Sequence, residues 1–125
     1  MESMELPIGE LLNGVSIIEN TNHDSAEISL TQVKLYFQKK AIILQVVTET
    51  DEIDIVVEPL DDSYRVNNTP KWCTEYINKM LQSVWICENN QKYQDQVIFA
   101  FEYITPSLSF VAEGSAMSVL KLEKV

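Results

Sequence analysis

Three glycines, at positions 9, 14 and 114, are too few and too scattered to build a phosphate-cradling loop. A single histidine, His23, leaves any imidazole-based mechanism one candidate, set among asparagines and an aspartate with no second group in sequence to hold it. Two cysteines, Cys73 and Cys87, make no disulfide framework. Basic residues are scarce: nine Lys and Arg stand against 19 Asp and Glu, for a formal net charge of -10. Such a chain repels phosphate backbones and anionic headgroups, so neither nucleic acid nor a membrane surface is an expected partner. Long apolar runs are absent too, and nothing approaches the ~20 residues of a membrane span. The acidic start Met1-Glu2-Ser3-Met4-Glu5 lacks the cationic and apolar regions of an export signal. A cytoplasmic protein without a cofactor or a catalytic motif is expected, and the sequon Asn67-Asn68-Thr69 then carries no weight.

What is present is enough for one core. With 46% hydrophobic residues in 125, the chain is expected to fold as a single domain over 1–125 and to bury roughly two-thirds of its unfolded surface. Strand periodicity is densest from Gln32 to Pro59. Val33, Leu35 and Phe37 alternate with Lys34, Tyr36 and Gln38, giving one dry face and one wetter one. After Lys39-Lys40, residues 41–47 are apolar on both faces, which predicts a central strand covered on both sides. Ile53, Ile55 and Val57 then alternate with Asp54, Val56 and Glu58, and Pro59 ends the pairing because it has no amide donor. Leu6–Asn13 is expected as a helical turn closed by Gly14. Val15, Ile17 and Ile18 read as a first strand; Tyr64 and Val66 are the anchors available to the polar loop that follows Pro59.

Thr69-Pro70 carries a helix-start signal. At 100° per residue, Trp72, Cys73, Tyr76, Ile77, Met80, Leu81 and Val84 share one half of the circumference. The principal helix is therefore predicted at about 70–83, packed on the sheet, with Cys73 buried and inert. Strands are expected again over 84–88, 97–104, 108–112 and 117–123. Short connections imply antiparallel pairing, so the expected fold class is α+β: a curled sheet or partial barrel of six to eight strands with one helix.

Two stretches are candidates for a site. Asp51, Glu52, Asp54, Glu58, Asp61 and Asp62 form the densest acidic run. Their oxygens suit a hard cation, but the spacing does not follow an EF-hand and a solvated acidic rim is the better reading. The stretch Trp85-Ile86-Cys87-Glu88-Asn89-Asn90-Gln91-Lys92-Tyr93-Gln94-Asp95 reads as a hairpin with an amide-rich turn using asparagine's tolerance of positive φ, Trp85 and Tyr93 packing across the strands. Trp85, Asn90, Tyr93 and Asp95 are also residue types favoured at interfaces. This text, with the closing Ser118-Val119-Leu120-Lys121-Leu122, resembles a family of small bacterial proteins defined as a domain of unknown function. The resemblance covers the last third of the chain and implies a bacterial source and no assigned activity.

The expected function is a non-catalytic protein-binding or regulatory module whose acidic surface suits a basic protein, as in neutralising a cationic toxin. Its expected partner surface combines Trp85, Asn90, Tyr93 and Asp95 with Asp51, Glu52, Asp54, Asp61 and Asp62. A homodimer through a strand edge or the Trp85 face is a second expectation. The alternatives are a small-molecule binder using the Trp72 face and a metal-dependent enzyme using the Asp51–Asp62 carboxylates.

Overall fold

Alternation decides the first half of the chain. In the computed structural model, which describes residues 5–20, 28–61, 64, 66 and 68–125, Val33, Leu35 and Phe37 are wholly buried. The strands are β1 (Gly14–Glu19), β2 (Leu30–Tyr36), β3 (Lys40–Val47), β4 (Glu52–Pro59), β5 (Leu81–Glu88), β6 (Gln94–Phe101), β7 (Leu108–Glu113) and β8 (Ala116–Lys121). Every pairing is antiparallel, β1 with β2, β2 with β3, β3 with β4, and β5 through β8 in sequence.

The two halves join at Leu30. It is paired on one side with Glu19 of β1 and on the other with Met117 of β8, which takes up the edge that β3 holds from Gln32 to Tyr36. A second junction lies before β1, where Gly9 and Leu12 donate to the Leu81 and Lys79 carbonyls (2.8 and 3.0 Å) and Asn78 and Leu81 donate to Leu12 and Glu10 (2.8 and 3.0 Å). The sheet therefore curls into a half-barrel. The segment expected as a helical turn over Leu6–Asn13 holds a single turn, with the Glu10 N–H donating to the Pro7 carbonyl at 3.1 Å, and then an isolated bridge from Leu11 to Met80.

The expected α+β class is overturned. The segment predicted as a helix at about 70–83 contains only a 3-10 helix, Lys71–Tyr76, and no helix of seven or more residues occurs among the described residues. Its C-cap Ile77 is extended, and Asn78 follows at φ 68°, a left-handed conformation asparagine adopts at small cost. From Leu81 onward the backbone groups bond to β6 instead of to the preceding turn. A 3.6-residue apolar period and a strand's alternation overlap over these few positions, and the non-local ladder prevails. The apolar residues still reach the core: Cys73 is buried, Trp72 meets Phe110 edge-on at 6.1 Å, and Tyr76 stacks on Phe101 at 5.2 Å.

Phe99 and Phe110 cross at 5.8 Å in the centre of the cluster, with Phe37, Leu35 and Leu44 fully buried. Each contributes about 1.5–3 kcal/mol by burial. β3 is not covered on both sides as expected. Ala41, Ile42, Leu44 and Val46 are buried, but Gln45 is exposed and Ile43 half-exposed, because only the inner face meets the opposing strands. β6 begins and ends three residues earlier than the predicted 97–104, closing at Phe101 before Glu102 with φ 70°.

Candidate functional site

Three hairpin turns share one end of the half-barrel. In the β3–β4 turn Asp51, at φ 53°, accepts the Ser115 N–H of the β7–β8 turn at 2.7 Å, and the Ser115 hydroxyl reaches the Thr48 carbonyl at 3.4 Å. Gln94, just past the β5–β6 turn, donates its backbone N–H to Glu52 Oε2 (3.1 Å) and its side-chain amide to the Ile53 carbonyl (2.8 Å). The two sequence-predicted stretches are thereby brought together, Asp51 and Glu52 beside the hairpin that carries Asn90, Tyr93 and Asp95. Glu49, Glu88 and Glu113 stand on the same turns, with Lys92 as the basic residue among them.

Asp51 and Glu52 act here as acceptors that bind turns to one another. Asp95 accepts from Asn89 Nδ2 at 3.2 Å, and Asn89 Oδ1 takes the Gln91 and Tyr93 N–H groups (2.8 and 3.2 Å). The hairpin turn is as expected, but the residue with positive φ is Lys92 (70°), not an asparagine. Tyr93 is 40% exposed and Asn90 is exposed. Trp85 lies opposite Ile98, not Tyr93, half-buried on the outer side of the sheet.

Asp54 stands exposed on the outer face of β4, two residues past Glu52 and opposite Gln45. Asp61 is farther still, lining a polar groove of about 360 Å³ with Lys34, Tyr36, Glu58 and Tyr64. His23 and Asp62 lie outside the described residues. Among the described residues no three His, Cys, Asp or Glu side chains converge as a metal site, and no helix is long and apolar enough to cross a membrane. The space between the sheet and Trp72 is filled by Phe110 and its neighbours.

The groove was not anticipated from the sequence. Lys34 pairs with Glu58 at 2.7 Å and sits 5.0 Å from the Tyr36 ring centre; the Glu58 hydrogen bond raises its pKa above the usual lysine value. Tyr64 stacks on Tyr36 at 5.7 Å, donates to the Phe37 carbonyl at 3.0 Å and receives the Asn13 amide at 2.6 Å. Tyr64 thus anchors the loop, as its place in a polar stretch suggested. The wet-face residues Lys34 and Tyr36 were the available signal, but their partners lie far along the chain.

Comparison with curated proteins and with solved structures returns no match to either. A family model matches residues 1–125, so this acid-capped half-barrel belongs to a family of unknown function (DUF6334).

Proposed function

We propose that the protein is a non-catalytic binding module that receives a basic protein surface at the end formed by its three hairpin turns. The observation that supports this is the double hydrogen bond from Gln94 to Glu52 and Ile53, which gathers the acidic turn and the aromatic-amide hairpin into one patch. An acidic patch speeds encounter with a cationic partner and orients it; the exposed Tyr93 ring supplies the amphipathic contact such interfaces favour. A basic toxin or nuclease is the kind of partner such an end would neutralise. The free thiols Cys73 and Cys87 suit a reducing, cytoplasmic setting.

The test is an amide chemical-shift titration with a lysine- and arginine-rich peptide at low and raised salt. Expected are salt-sensitive shifts confined to residues 49–52, 89–95 and 113–115, and a loss of affinity of about tenfold or more in the Glu49→Lys/Glu88→Lys variant. Shifts spread over the whole surface, or indifference to the charge reversal, would overturn the reading.

A further inference from the structure

The edge of β5 has no neighbour beyond Leu81 among the described residues. Residues 9–12 pair with 78–81, and an extended chain upstream of Gly9 would have continued along Ser83 to Glu88. It does not. Gly9 takes φ 92°, a conformation that suits glycine, and the chain turns off toward Lys40, whose Nζ meets the Glu5 carbonyl at 3.2 Å and its carboxylate at 3.4 Å. The exposed edge lacks the lysine and proline that usually protect one. Ile86, on the inner side opposite Val97, is left 39% exposed.

We infer that this edge pairs with β5 of a second copy, antiparallel about a two-fold axis at Trp85. The register follows from the ladder to β6, which is irregular between Leu81 and Ser83 and again between Cys87 and Glu88, leaving Ser83–Cys87 as the regular segment with Trp85 at its midpoint. The axis places Trp85 against Trp85 of the second copy, Ser83 against its Cys87, and Val84 against its Ile86. The last pair covers the apolar side chains that the single chain leaves open.

The self-complementary Val84 and Ile86 positions favour a second copy over a random partner strand, and the local charge of β5 does not oppose one. Glu88 is the sole carboxylate in β5, and in this register the two Glu88 residues are six positions apart, ~20 Å at ~3.3 Å per residue, beyond the ~8 Å screening length of physiological salt. The antiparallel arrangement also keeps the two acidic ends apart, setting each beside the other copy's opposite end, where charge is mixed and Lys79 and Lys40 pair with Glu102 and Glu5 of their own chain. This inference is independent of the proposed basic partner.

Sedimentation velocity over a concentration series tests it directly, with a short bis-maleimide crosslinker applied to the Ser83→Cys variant. Expected are a dimer, a crosslink from the thiol introduced at position 83 to Cys87 of the other copy that vanishes when Cys87→Ser is added, and at least tenfold weaker association for Trp85→Lys, which sets like charges directly opposite. Ser83→Lys serves as the second disrupting variant, with circular dichroism to verify folding. A monomer at all concentrations overturns the inference. So does a dimer indifferent to both lysine variants and without the crosslink.

Discussion

Val66 lies so close over Gly14 that a β-carbon added to the glycine would fall 2.5 Å from Val66 Cγ1 and 2.8 Å from its Cβ. Gly14 pairs with Tyr36, and Tyr36 with Ala41, which in turn faces Glu58. On the outer face of this row Tyr64 stacks on Tyr36 and Val66 lies over Gly14, and Thr69 Oγ1 accepts the Val15 N–H at 3.4 Å. Gly14 is thus a site of close approach. Gly14→Ala is expected to destabilise the protein by ~1–3 kcal/mol through overpacking, as measured by denaturant unfolding. Adding Val66→Ala should recover part of that loss, and strict additivity of the two changes would refute the contact.

Lys92 occupies a left-handed backbone conformation, φ 70°, that lysine seldom adopts. The turn is fixed by Asn89, whose backbone N–H donates to the Tyr93 carbonyl at 2.9 Å and whose carbonyl accepts the Lys92 N–H at 3.0 Å. A left-handed residue with a β-carbon costs about 1–2 kcal/mol, offset in part by the greater unfolded freedom of glycine. Lys92→Gly is therefore expected to stabilise by up to ~1 kcal/mol, read as a raised melting temperature. Lys92→Ala should give no comparable gain.

The first half of the sheet was legible because a strand's two faces show directly in sequence: Val33, Leu35 and Phe37 against Lys34, Tyr36 and Gln38. The stretch around Trp72 was not. Its apolar residues fit a helical arc as far as Val84, while the decisive facts, Asn78 turning left-handed and Leu81–Glu88 bonding to β6, depend on local tolerance and on a ladder to later residues. Tyr64 stood out as an aromatic in a polar loop, yet its partner Tyr36 could not be named without the register. The two acidic and aromatic stretches were identified separately. Their union through Gln94 is a tertiary fact that no local pattern contains.

Asp51 combines two tasks, a left-handed turn position and a 2.7 Å acceptor for the Ser115 N–H. Asparagine tolerates the same backbone and keeps an oxygen, so Asp51→Asn should cost under ~1 kcal/mol. Asp51→Ala loses the acceptor and strains the turn, for an expected ~1–3 kcal/mol. Amide exchange at Ser115 is the specific readout: it should accelerate far more in the alanine variant than in the asparagine one, and equal acceleration in both would show that the hydrogen bond does not hold the turns together.

Cys73 is the wholly buried residue of the 3-10 helix, and burial pushes its thiol from an ordinary 9.0 up to about 11. The unfolded thiol ionises near pH 9 while the folded one stays protonated, so between these values the unfolded state holds fewer protons and stability falls as pH rises. The contribution is fully present below about pH 9 and lost on passing through about 11, with a span on the order of 2–3 kcal/mol. Tyr76, raised by burial from 10.0, and Lys34, raised by Glu58 from 10.5, act in the same direction but begin later. Cys73 therefore leads the loss in the interval from about pH 9 to about pH 10. Denaturant unfolding across it should show a decline in the native protein and a flatter profile in Cys73→Ala, which starts lower because a small cavity replaces the sulfur. Parallel profiles would show that the buried thiol does not set the alkaline limit.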